Sequence, residues 1–87
     1  MGRKTPSKLA ILNRQIYISR DLNALARSVN KDILDVYRES NHAPGKEYIV
    51  LRFKGNVKEY IDITDLNIYE MREKFRKYLG KEKGYEK

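Results

Sequence analysis

The sequence predicts one small α+β domain in which two helices pack on one face of a small antiparallel or mixed sheet. Three observations lead there. Gln15, Ile16, Tyr17 and Ile18 alternate polar or amphipathic with apolar residues, as a half-buried strand does. Two β-prone stretches flank Lys54-Gly55-Asn56, as in a hairpin. Two further segments carry apolar residues at the three- and four-residue spacing of an amphipathic helix.

In chain order, residues 1–8 read as a flexible basic arm, with Gly2, Pro6 and Ser7 as helix and strand breakers. Residues 9–80 read as the single domain, and residues 81–87 as a frayed charged tail. The first element is a strand within residues 9–19. A helix is then predicted from Asp21 to about Ser40, because Leu22, Ala26, Val29, Ile33 and Val36 form a continuous stripe. The run Ser40-Asn41-His42-Ala43-Pro44-Gly45 ends it.

The hairpin joins residues 47–53 to residues 57–63. A three-residue loop with Asn56 left-handed pairs Phe53 with Val57. This register gathers Ile49, Leu51, Phe53, Val57, Ile61 and Ile63 on one face, broken by Glu59. The other face then shows Tyr48, Val50, Arg52, Lys58, Tyr60 and Asp62. It sets Arg52 opposite Lys58, an unfavourable pair unless an anion lies over them. The last helix is predicted from Ile68 to Leu79. Asn67 and Glu70 form its capping box, and Gly80 ends it.

The expected order is therefore β-α-β-β-α, an incomplete ferredoxin-like layer lacking its last strand. The alternative is a ribbon-helix-helix core built from residues 13–40, which requires a helix break near Asn30-Lys31. No GXXG loop or RNP-type motif occurs, so no RNA-binding family is specified.

The chain has 87 residues, no cysteine and a formal net charge of +7. The excess is concentrated. Residues 1–20 carry five bases and no acid, while residues 21–45, 46–63 and 64–87 carry −1, +1 and +2. Such a balance points to a polyanionic partner, DNA or RNA. Phosphate contacts are expected from Arg3, Lys4, Lys8 and Arg14 in the arm and first strand, and from Arg52, Lys54 and Lys58 in the hairpin. Base stacking or edge contacts are expected from Gln15, Tyr17, Tyr48 and Tyr60. In this reading the polar helix face of Asn23, Arg27, Asn30, Lys31 and Arg38 is a solvated surface. A domain with so thin a core also suggests a homodimer. A protein-interaction or dimerisation module is the competing function.

Enzyme chemistry has little to stand on. The one histidine, His42, lies in a turn, and there is no cysteine nucleophile, glycine-rich phosphate loop or nucleophile elbow. Asp32, Asp35 and Glu39 neighbour Lys31 and Arg38, which suits ion pairing better than metal binding. No cofactor, metal or small-molecule substrate is expected. Without a transmembrane run, a signal-peptide h-region or cysteine, the expected location is the cytoplasm. The Lys-, Arg- and Glu-rich composition matches that of thermophile proteins.

Overall fold

The computed structural model describes residues 7–83, with side chains through residue 80. A helical rod opens the chain in three parts: α1 (Lys8–Ile16), a π-helical segment (Tyr17–Leu22) and α2 (Asn23–Val29). Strands β1 (Ile33–Glu39), β2 (Tyr48–Phe53) and β3 (Val57–Asp62) follow, and α3 (Ile68–Lys83) closes the fold. The sheet is an antiparallel meander in the order β1-β2-β3.

The first half of the chain corrects the sequence reading. The segment expected as a strand is helical. The Ser7 side chain caps it by accepting from the Ala10 N–H at 3.1 Å, and good helix formers follow. The apparent alternation at Ile16 and Ile18 is a helix whose two isoleucines lie on different sides: Ile18 is buried, Ile16 exposed. The rod does not break at the π segment, since Ile16 and Asn23 both hold right-handed helical angles. There the Asn23 N–H reaches back five residues to the Ile18 carbonyl.

The long helix expected to reach Ser40 stops at Val29. Asn30 leaves helical space at φ −135°, ψ 113°, and its side chain accepts from the Asp32 N–H at 2.9 Å. Residues 33–39 are a strand. A β-bulge between Ile33 and Asp35 explains the misleading stripe, because the irregularity puts Ile33 and Val36 on the same buried side at a three-residue spacing. The element order is therefore helix-strand-strand-strand-helix. Neither the leading strand of the ferredoxin-like reading nor the ribbon within residues 13–19 of the ribbon-helix-helix reading is present among the described residues. The α+β class and the small antiparallel sheet stand.

The second half follows the pattern. Phe53 faces Val57 and Arg52 faces Lys58, and Asn56 is left-handed at φ 63° beside Gly55 at φ 85°. The Glu70 N–H donates to the Asn67 side chain at 2.8 Å, and the Asn67 N–H donates to the Glu70 carboxylate at 2.9 Å. Helix α3 does not end at Gly80, which is buried, but runs to Lys83.

The core lies between the helices and one sheet face. Ile18, Leu22 and Ala26 from the first rod meet Val36, Ile49, Leu51 and Ile61 from the sheet and Met71, Phe75 and Leu79 from α3. Both helices thus cover the same face, as the apolar stripes require. Among the described residues, the opposite face carries no helix. No helix among the described residues is long and apolar enough to cross a membrane.

Candidate nucleic-acid interface

The register of the three strands lays the uncovered face out as a grid. Across the sheet, one row reads Glu39, Tyr48 and Asp62; the next Tyr37, Val50 and Tyr60; the third Asp35, Arg52 and Lys58. Val50 sits at the centre with 0% exposure, although no helix among the described residues lies above it. Its flanking cross-strand neighbours are Tyr37 and Tyr60.

The loop between β1 and β2 adds a third ring. The His42 imidazole stacks on Tyr60, with centroids 4.5 Å apart and planes 27° apart. It meets Tyr48 edge-on at 5.3 Å, and Tyr48 meets Tyr60 edge-on at 5.9 Å. His42 and Tyr60 remain exposed. Sequence reasoning placed Tyr37 on a helix and left His42 in an idle turn. Tyr37 became legible only with the bulge. His42 carried no spacing signal, because its position depends on how the loop folds back over the sheet.

Beside the rings lie the cations. Arg52 donates two hydrogen bonds to Asp35, at 3.0 and 2.8 Å. Those bonds hold the Asp35 carboxyl below its ordinary range. The repulsion expected between Arg52 and Lys58 is thus offset by a carboxylate from β1 rather than by an external anion. Lys58 is exposed and makes no ion pair among the described residues. Lys54 stands in the hairpin turn, 4.0 Å from Asp32, with both side chains largely in solvent.

The remaining expected contacts do not join this face. Arg14 is turned inward, donating to both Glu47 carboxylate oxygens at 2.9 and 2.8 Å and to the Leu66 carbonyl at 2.7 Å. Arg38 binds the same carboxylate, so the two guanidiniums lock α1 to the sheet. Burial pushes the Glu47 carboxyl up, but the bonds from Arg14 and Arg38 outweigh it and hold the group below the usual carboxylate range. Arg14 therefore serves as a structural clamp, with three of its N–H donors spent on Glu47 and Leu66. Gln15 is exposed on α1, and Tyr17 packs against the core, where burial raises its hydroxyl and neighbouring Arg72 partly opposes the rise. Both belong to the helical rod, not to a first strand in the sheet. Lys8, assigned to the arm, is the first residue of α1 and exposed. Arg3 and Lys4 lie outside the described residues.

Among the described residues, no three His, Cys, Asp or Glu side chains come together in a way that could hold a metal ion. No family model matches the chain, no curated protein matches its sequence, and no solved structure matches it.

Proposed function

We propose that this protein binds single-stranded nucleic acid, DNA or RNA, across its open sheet face in the cytoplasm. One observation carries the reading: the Tyr48–Tyr60–His42 ring cluster lies on the same face as Arg52 and Lys58. Stacked bases meet flat rings there, and phosphates meet cations one row away. Each base–aromatic stack contributes about 1–3 kcal/mol in single-strand binders. A duplex hides the base faces that this surface would stack upon, so the expected preference is for single strands.

The test is an anisotropy titration with single-stranded and duplex oligonucleotides at two salt concentrations. The expected log–log salt slope is about −0.7 for each strand phosphate neutralised. Tyr48→Ala with Tyr60→Ala should weaken single-strand binding more than any residual duplex binding. Absence of binding at low salt, or equal loss for both forms, would overturn the reading.

A second reading, a dimerisation module, is favoured by a separate feature. Leu9, Leu12 and Ile16 repeat at i, i+3 and i+7 on α1 and are 66%, 48% and 39% exposed. The stripe points away from the Arg14 clamp, and two copies related by a two-fold axis would pair Leu12 with Leu12. Light scattering on the wild type and on Leu12→Lys tests it. A dimer abolished by the substitution supports it, and a monomer at all concentrations removes it.

A further inference from the structure

We infer that a cleft between the end of α2, the start of β1 and the hairpin turn is an anion site that takes a phosphate group, built from Arg27, Lys31 and Lys54. It does not require the sheet face to bind a strand.

The cleft brings together residues far apart in sequence. Asn23, Arg27 and Lys31 come from the rod and its exit, Leu34 from β1, and Lys54 from the hairpin turn. The turn is fixed in place, because the Lys54 N–H donates to the Asp32 carbonyl at 2.9 Å. The rod is fixed as well: the Asn23 side-chain oxygen accepts from the Val36 N–H at 2.9 Å. That bond fixes the side-chain oxygen toward β1 and leaves the amide hydrogens as donors. Among the described residues, three cations and no carboxylate line the space, which measures about 570 Å³. It therefore accommodates a phosphate with an attached sugar.

Competing groups do not fill it. Neither Arg27 nor Lys31 lies within 4 Å of a carboxylate among the described residues. Lys54 holds Asp32 only at 4.0 Å, with side-chain exposures of 64% and 72%, a pairing that solvent screens. Asp35 is near enough to Arg27 to feel its charge but is held by both oxygens to Arg52. The C-terminal carbonyls of α2 are weakly negative, so attraction for an anion comes from the side chains. A tetrahedral dianion can accept from several of these donors at once.

The site also has a place in the fold. It opens at the hairpin end of the sheet, the end that carries Arg52 and Lys58. A phosphate there comes from a nucleic-acid backbone or from a small phosphorylated molecule, and the experiment separates them.

The full chain, labelled with ¹⁵N, is titrated with inorganic phosphate and with sodium chloride at matched ionic strength. Amides of residues 27–34 and 54–56 are expected to shift with phosphate at a dissociation constant of about 1 mM and not with chloride. The Arg27→Gln, Lys31→Gln, Lys54→Gln variant should weaken phosphate binding by about fivefold or more. If that variant loses its fold by circular dichroism, Lys31→Gln alone, an exposed turn position, should still give about a twofold loss. Competition by an oligodeoxythymidylate of about 12 nucleotides identifies a strand phosphate as the source. Competition by a nucleoside 5′-monophosphate without the oligomer identifies a small ligand. Either result supports the site. Equal shifts with chloride, or unchanged affinity in the folded variants, overturn it. Tyr48→Ala with Tyr60→Ala should leave the phosphate shifts intact, so failure of the sheet-face reading remains distinguishable.

Discussion

The His42 ring lies 4.5 Å from the Tyr60 ring and within 27° of parallel to it. With its edge-on contact to Tyr48, this stacking extends a two-tyrosine cluster into a three-ring surface. His42 is exposed, so its outer face is available to a ligand. His42→Ala is expected to change folding stability by less than about 0.5 kcal/mol, since it removes a surface ring. It should weaken single-strand binding by about 1 kcal/mol, roughly fivefold. Urea denaturation and anisotropy on the same samples check both halves.

Asp35 works against the proposed binding face, because it occupies the Arg52 guanidinium. Asp35→Asn removes a negative charge and releases that cation. Single-strand affinity should rise by about threefold at low salt, with a steeper salt dependence. An unchanged affinity would show that Arg52 takes no part.

Glu47 holds Arg14 and Arg38 at the joint between α1 and the sheet. Glu47→Gln leaves two half-buried guanidiniums facing each other and should cost about 2–4 kcal/mol at neutral pH. The carboxyl titrates below its ordinary value of 4.5 in the fold. A lowered folded value contributes stability that is present above the unfolded value and lost as pH falls through the folded one. The gap between wild type and Glu47→Gln should therefore be full at neutral pH and close progressively below about pH 4.5. Urea denaturation from pH 7 to pH 3 measures it.

Asn56 occupies left-handed space at φ 63° in the hairpin loop. Asn56→Val should destabilise by about 1–2 kcal/mol, because a β-branched residue tolerates that conformation poorly. Asn56→Gly should stay within about 0.5 kcal/mol of wild type. Thermal melts of the two variants compare them.

The hairpin was legible because its apolar residues agree on a face: a one-residue slip would have sent Ile49 and Leu51 to solvent. Tyr48, Arg52, Lys58 and Tyr60 shared a surface for the same reason. The first half was not legible because two local irregularities imitate other periods. The π segment follows an exposed stripe with a buried one, and the bulge gives strand residues Ile33 and Val36 a helical spacing. Ser7 was the available signal for the early helix, with helix formers directly after it. The fate of Arg14 was hidden as well, since its partners Glu47 and Leu66 are distant in sequence. The basic excess of the first twenty residues is therefore divided among a clamp at Arg14, exposed helix positions at Lys8 and Arg20, and Arg3 and Lys4 outside the described residues.

The π segment fixes an angular phase. It joins α1, aimed by Arg14, to α2, aimed by Ala26, and seats its own Ile18 and Leu22 in the core. An α-helix turns by about 100° per residue, so rewinding the π turn into α with all its residues kept would swing α1 around its own axis. Arg14 would then miss Glu47 while the core stripe stayed seated. The wide turn acts as a gear tooth: by taking up one residue more than an α turn, it sets which side of α1 meets the sheet and which side looks outward with Leu9, Leu12 and Ile16.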